Sequence, residues 1–185
     1  IEDLEFWKGK LKRSDSPGFP ARVSIFKKMI YAWEQIASKH EVGLVLEDDA
    51  VLCGDFPAKL NLYINQLPPS WDYLNVGNGS GRMHIPFAPT SKGNVFRRTP
   101  EPTKWGGNGV TRGNDCYALK ASGARKLLDE INSNDFQIAN AVDWWINITA
   151  RNLEEKNSNE KLHCYWGEPC LSNQGSVTGR FAPSH

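Results

Sequence analysis

The sequence lacks any apolar run of about 18 residues, the length that would predict a membrane-spanning helix, and its mean hydropathy is −0.52. It also lacks an excess of charge of either sign, with 22 Lys and Arg against 21 Asp and Glu. Nucleic-acid-binding proteins usually carry a basic excess, so this balance disfavours nucleic acid as a partner. With 39% hydrophobic residues over 185 positions, residues 1–185 are expected to form a single domain with its own core.

Cysteine is scarce, and no two cysteines form a CxxC pair, which argues against a structural zinc site. Cys164 and Cys170 are close enough in sequence to pair in an oxidising compartment, but we expect all four cysteines to be free thiols. Two N-glycosylation triplets, at Asn78 and Asn147, arise too easily by chance to establish secretion. No targeting pattern follows Ile1, which says little about the full-length protein. We expect a cytoplasmic location, with the lumen of the endoplasmic reticulum or Golgi as the alternative.

Strand-like and helix-like patterns alternate along the chain. Apolar residues at three- and four-residue spacing predict helices at 21–39, 56–66, 122–132 and 142–151. Short apolar runs predict strands at 42–46, 71–76, 115–119 and 162–166. Residues 82–113 are expected to form a long loop, and the tail after Pro169 to be irregular. The alternation favours an α/β sandwich with a mostly parallel sheet.

The most informative residues are Glu47, Asp48 and Asp49, which directly follow the apolar run at 42–46. Three adjacent carboxylates repel one another, and a bound divalent cation removes that cost. If the backbone stays extended, Glu47 and Asp49 point to one side, which suits Mn²⁺ or Mg²⁺. Ligands of open α/β sheets also bind beyond the carboxyl ends of strands. The alternative is an acidic turn or a cap for the next helix.

The segment from Leu44 to Leu52 resembles the metal-binding segment of glycosyltransferase family 25, which includes lipooligosaccharide and collagen galactosyltransferases. Other segments resemble that family in the same order: 31–36, 71–77, 113–119, 123–128, 142–145, and Pro169, Gln174 and Ser176. The usual Ser-His of the family would fall at Ser24 and Ile25, where the His is absent, so a divergent viral or eukaryotic branch is expected. Family members carry a first nucleotide-binding strand well before the acidic motif, and that strand is expected to be missing here.

The resemblance implies a GT-A-like (Rossmann-like) α/β/α sandwich and an inverting, metal-dependent transfer of sugar from a nucleotide sugar, UDP-linked by preference. The acceptor would be a hydroxyl of a glycan or glycoprotein. Asp49 is the first-choice metal ligand and Glu47 the second, while Asp48 would hold the donor ribose or orient its neighbour. Many transferases of this fold take a third ligand from a late strand, and His163 is the candidate, although a lone His is often only a surface residue.

Asp143 is the candidate base for the acceptor proton, since desolvation by Trp144 and Trp145 would raise its pKa. Those Trp residues could also carry a sugar ring, and the alternative is that Asp143 only caps its helix. Basic candidates for the diphosphate lie in or near predicted loops and helix starts: Arg22, Lys92, Arg97, Arg98, Lys104 and Arg112. Trp105 would belong to a mobile wall over the donor.

Two other functions are compatible with the same residues. A glycoside hydrolase would use Asp49 and Asp143 as its pair of carboxylates, without metal or nucleotide. A noncatalytic glycan-binding module would use Trp residues and a Ca²⁺ ion held by the acidic cluster.

Overall fold

The computed structural model describes residues 18–79, 93–101, 109–133, 141–156 and 160–179. Four helices lie within these ranges: α1 (Phe19–Lys39), α2 (Phe56–Ile64), α3 (Ala121–Asn132) and α4 (Val142–Lys156). The strands are β1 (Val42–Leu46), β2 (Ala50–Leu52), β3 (Tyr73–Asn75), β4 (Val95–Arg98), β5 (Cys116–Lys120), β6 (Cys164–Gly167) and β7 (Ser172–Gln174). In the described segments, no helix has the length and apolar character needed to cross a membrane.

Helix α1 confirms the predicted amphipathic pattern. Its buried side chains recur at three- and four-residue spacing: Val23, Phe26, Met29, Trp33 and Ile36. This spacing puts them on one face of the helix. The helix ends at Lys39, the backbone of His40 is already extended, and β1 begins two residues after His40.

Strand directions differ from the prediction. The main sheet has five strands in the order β1-β5-β3-β6-β4. Only β3 and β6 run parallel, and the other three pairings are antiparallel. The expectation of a mostly parallel sheet is therefore wrong for the described strands, although the α/β character is confirmed. An apolar run indicates that a strand is buried but carries no information about the direction of its neighbours.

An unbroken apolar run such as the one at 42–46 is typical of a strand buried on both faces, but β1 is an edge strand with one open face. Leu44 and Leu46 are 40% and 42% exposed, while Val45 between them is buried. The core therefore covers only one face of β1, the face that carries Val45.

Each face of the sheet carries its own apolar core. Tyr73 and Tyr117 point into the core formed with α1, α3 and α4, where their rings stack 5.0 Å apart. Leu74 and Cys116, their neighbours in sequence, point into the opposite core with α2. This alternation is the period-2 pattern of a strand between two layers. The described part of the chain is thus a layered α/β structure with helices on both faces of the sheet.

One end of the sheet collects the polar residues that follow the strands. Strands β1, β3 and β6 run in the same direction and end together, where the antiparallel β5 begins. A second, two-stranded sheet of β2 and β7 lies beside this end, with Ala50 opposite Gln174. The tail after Pro169 was expected to be irregular, but it contains β7. This strand pairs with β2 and so holds the segment that follows the acidic motif.

Candidate active site

The acidic motif forms a turn at the end of β1. The Glu47 backbone N–H donates to the Asp115 carbonyl at 3.1 Å, which continues the pairing of β1 with β5 for one more residue. The Ala50 N–H then donates to the Glu47 carbonyl at 3.2 Å and closes the turn. The extended backbone expected through Asp49 is therefore wrong, and Asp48 lies exposed in the turn.

A cavity of about 200 Å³ opens beside this turn, and we call it the acidic cavity. Three of the predicted site residues line it together: Arg22 from α1, Glu47 after β1, and Asp143 from the start of α4. Asn114 and Gln174 contribute amide groups. Elements far apart in sequence thus place one cation, two carboxylates and two amides around one space.

Burial dominates the electrostatics of Glu47. It raises the pKa of this carboxyl from 4.5 to about 7, with further contributions from the carboxylates of Asp49, Asp115 and Asp143. Asn114 opposes the shift, because its Nδ2 donates to Glu47 Oε1 at 3.5 Å. Glu47 therefore lies in a partly dehydrated and negatively charged environment, which would favour a cation.

Asp49 is held by the turn that follows β7. Its Oδ2 accepts hydrogen bonds from the Ser176 hydroxyl at 2.5 Å and from the Ser176 N–H at 3.3 Å. Its carbonyl accepts from the Gly175 N–H at 2.7 Å. Among the described residues, Asp49 Oδ1 is one of two buried side-chain oxygens without a hydrogen-bond partner. One carboxylate oxygen is therefore anchored, and the other is left available to a ligand.

Asp143 lies in the first turn of α4, and burial raises the pKa of its carboxyl. The backbone N–H groups of Asp143 and Trp144 partly offset that shift. The two Trp residues behind it have different environments. Trp145 is buried and stacks on Trp33 with ring centroids 5.7 Å apart, whereas Trp144 is 46% exposed. Only Trp144 is therefore accessible to a ligand.

His163 does not lie with the acidic motif. It precedes β6 at the opposite end of the sheet, where its backbone N–H donates to Asp72 Oδ2 at 3.0 Å. From the strand register and a rise of about 3.3 Å per residue, it lies on the order of 15 Å along the strands from Glu47. The prediction of His163 as the third metal ligand is therefore wrong. The late strand β6 points its carboxyl end, not its start, toward the cavity.

Arg97 is also remote from the acidic cavity. It is exposed on β4, and β4 and β1 are the opposite edges of the sheet. Four strand spacings of about 4.8 Å separate them, so the predicted contact with the same diphosphate does not fit. Trp105, the predicted mobile wall, lies outside the described residues, as do Lys92 and Lys104.

Arg112 is buried and has a structural role. Its guanidinium pairs with Glu168 at 2.5 Å and donates to the carbonyls of Asn75 and Gly167 at 3.0 and 2.9 Å. It also lies over the Trp166 ring, 4.8 Å from the centroid. These contacts join the ends of β3 and β6, which leaves Arg112 unavailable to a phosphate.

Asn114, Asp115 and Ser176 were missed as site residues. The buried carboxylate of Asp115 accepts from the Ser172 hydroxyl at 2.8 Å and from the Gly79 N–H at 3.2 Å. It fills the space where a side chain at Gly77 would lie. The run of Gly, Asn and Asp before β5 was a sequence signal for a special turn, but the sequence did not show that this turn lies against the acidic motif.

Within the ranges that the structure describes, no three His, Cys, Asp or Glu side chains converge as a metal site would require. Glu47 and Asp49 supply two acidic groups, and the negative charge of Asp49 raises the pKa of Glu47. The unpartnered Oδ1 of Asp49 fits a hard cation, which takes oxygen ligands. Two protein carboxylates with positions left for phosphate and water are a common arrangement for Mg²⁺.

Comparisons with known proteins do not assign the chain to a family. No family model, no curated protein and no solved structure matches it. The resemblance to glycosyltransferase family 25 therefore stays a prediction, and the function has to be inferred from the geometry of the site itself.

Proposed function

We propose that the protein is a metal-dependent, inverting glycosyltransferase of GT-A-like character that uses a nucleotide sugar, with UDP as the preferred nucleotide. The observation that carries the proposal is the acidic cavity. It joins Arg22, Glu47 and Asp143 at the end of the sheet where the acidic motif lies. Transfer of a sugar needs a cation site for the leaving diphosphate and a base for the acceptor hydroxyl, and this arrangement offers residues for both.

Glu47 and Asp49 are the residues that would hold Mn²⁺ or Mg²⁺. When bound, the ion stabilises the negative charge that develops on the diphosphate as the glycosidic bond breaks. Ser176 fixes one oxygen of Asp49 and so orients the other. Arg22, which also lines the cavity, adds a positive charge where the leaving group carries negative charge. Exposed Asp48 is the residue that would reach the donor ribose.

Asp143 would remove the proton from the acceptor hydroxyl as its oxygen attacks the anomeric carbon. The bond from that carbon to the diphosphate oxygen breaks, and the proton moves to the Asp143 carboxylate. An ordinary Asp with a pKa of about 3.9 is a weak base. The burial of Asp143 raises its pKa and makes it a better one. Exposed Trp144 beside it offers an apolar face for an acceptor sugar.

The size of the acidic cavity limits what it can hold. At about 200 Å³, it is smaller than the roughly 300–1,000 Å³ of typical small-molecule sites. The cavity would therefore take the sugar end of the donor and part of the diphosphate. The nucleoside would lie outside this cavity.

The test is release of nucleoside diphosphate from a panel of nucleotide sugars, with Mn²⁺ or with EDTA. We expect metal-dependent release that is lost in Asp49→Asn. Asp129→Asn, an exposed position on α3, is the matched control and should keep full activity. Release that survives both EDTA and Asp49→Asn would rule out the proposed role of the acidic motif.

A two-carboxylate glycoside hydrolase is the second candidate, because Glu47 and Asp143 line one cavity and both have raised pKa values. The structure suggests this pair instead of the predicted Asp49 and Asp143, since Asp49 is turned toward Ser176. Such an enzyme would cleave a glycoside without metal or nucleotide. Aryl-glycoside hydrolysis in EDTA distinguishes it from the transferase.

A further inference from the structure

We propose that the open edge of β1 is a self-association surface, on which β1 of a second copy of this chain pairs antiparallel and joins two five-stranded sheets into one. Within the described segments, β1 pairs with β5 only, so its other edge has no partner strand. Proteins usually protect such an edge with Lys, Pro or a bulge. The sequence of β1, Val-Gly-Leu-Val-Leu, has neither residue, and its register with β5 is unbroken.

The backbone of β1 determines which groups face the open edge. In an antiparallel pair, alternate residues exchange hydrogen bonds with the neighbouring strand. The N–H of Glu47 and the carbonyl of Glu41 both hydrogen-bond to residues that flank β5, so the odd-numbered residues of β1 face β5. The N–H and C=O groups of Val42, Leu44 and Leu46 therefore face the open edge and are available to another strand.

One register matches these groups in two identical chains. If Leu44 lies opposite Leu44 of the second copy, Val42 of each copy lies opposite Leu46 of the other. Each of these residues then exchanges both of its backbone hydrogen bonds with the residue opposite. Their side chains lie on one face of the strand, since they alternate with buried Val45. Leu44 and Leu46 are 40% and 42% exposed, and this pairing would cover each with an apolar side chain of the other copy.

The charges at the two ends of β1 favour the antiparallel direction. Lys39 and His40 are exposed just before the strand, and Asp48 is exposed just after it. In the proposed register the start of each strand lies beside the end of the other, so basic and acidic groups meet at both ends of the interface. Glu41 is unfavourable in this register, because it lies opposite Glu47 of the second copy.

Helix α1 leaves room for the second copy. A groove of about 470 Å³ lies between the second half of α1 and the whole of β1. The helix lies over β1 and β5, because Ile36 packs against Gly43, and Trp33 Nε1 donates to the Tyr117 hydroxyl at 2.9 Å. With strands about 4.8 Å apart, two copies of α1 would lie about 10 Å apart across the symmetry axis, the separation of packed helices. The same surface is used by both copies, so the assembly closes as a dimer.

Analytical ultracentrifugation of the full chain over a range of concentrations measures the dimer Kd, and we expect a monomer–dimer equilibrium for the wild type. Leu44→Lys places two cations opposite each other on the axis and should weaken the dimer at least about tenfold. Leu62→Lys, the same change at a 53% exposed leucine of α2, should dimerise like wild type. Glu41→Lys makes the unfavourable pair at each end attractive and should tighten the dimer about threefold or more.

Amide hydrogen exchange reports on the edge itself. The N–H groups of Val42, Leu44 and Leu46 should become protected as the protein concentration rises. Those of Gly43 and Val45, which face β5, should be protected at every concentration. Circular dichroism and thermal unfolding of each variant establish that it is folded.

Three results would overturn the proposal. A monomer at all concentrations whose edge amides exchange freely would mean that the edge stays unpaired. A monomer whose edge amides are protected would mean that another part of the same chain covers β1. A dimer of unchanged affinity in both Leu44→Lys and Glu41→Lys would place the interface elsewhere. The proposed function is tested separately, since release of nucleoside diphosphate does not require the dimer.

Discussion

At the residue scale, Glu47 occupies a position that is unfavourable for an ionised carboxylate. Burial and the neighbouring acids raise its pKa from 4.5 to about 7. Below pH 4.5 the group is protonated in both folded and unfolded chains and contributes nothing to the pH dependence. Between pH 4.5 and 7 the unfolded chain ionises this carboxyl while the folded chain keeps it protonated, so its contribution to stability falls across that range. Such local cost is common where a site is shaped for a ligand.

Replacing Glu47 with Gln should therefore stabilise the metal-free protein at high pH only. We expect Glu47→Gln to raise Tm at pH 8 and to leave it unchanged near pH 4.5, because the neutral amide removes the ionisation cost. Thermal unfolding in metal-free buffer measures this, with exposed Glu34→Gln on α1 as the control. An equal shift at both pH values would contradict the electrostatic explanation.

The sequence left two roles open for Asp143, a catalytic base and a helix cap, and a substitution at this position distinguishes them. Asn has nearly the same size as Asp and removes only its charge in the first turn of α4, so Asp143→Asn should change stability by no more than about 1 kcal/mol. If Asp143 is the base, turnover should fall about 10²- to 10⁴-fold, while Mn²⁺ and UDP affinities stay the same. Steady-state kinetics combined with binding titrations measure both quantities. Unchanged turnover would leave Asp143 as a structural residue.

At the element scale, residue patterns predicted the helices and most strands but not the way the strands are paired. The apolar spacing of α1 fixed its buried face, whereas the apolar run of β1 did not reveal an edge strand. Strand β4 was hidden in the predicted loop, and β7 in the predicted irregular tail. Strands of three or four residues form because a partner is present, so their own sequence carries little of the signal.

The ends of β3 and β6 offer a test of element stability, because one buried side chain joins them. Arg112→Ala removes the partner of the buried Glu168 carboxylate and two hydrogen bonds to backbone carbonyls, at a cost of about 3–5 kcal/mol. Arg97→Ala, the same change on exposed β4, should stay within about 0.5 kcal/mol of wild type. Urea unfolding gives both values. Similar losses in the two variants would contradict the structural role of Arg112.

At the scale of the whole molecule, the acidic cavity depends on tertiary structure that no local pattern encodes. Glu47, Asp143 and Arg22 were each found from sequence, because a carboxylate after a strand, an acid before Trp and a basic helix start are recognisable signals. They line one cavity because α1 and α4 pack together in the core on one face of the sheet. His163 and Arg97 were assigned to this site wrongly, because the sequence does not give the order or direction of the strands.

The proposed cation site is tested most directly by the position of Mn²⁺ in a crystal of the protein grown with UDP and Mn²⁺, located by anomalous scattering. A site at the acidic motif predicts one strong peak within about 2.0–2.6 Å of carboxylate oxygens of Glu47 and Asp49, with the diphosphate of UDP on its open side. A peak at another part of the molecule, or diphosphate bound away from the acidic cavity, would contradict it.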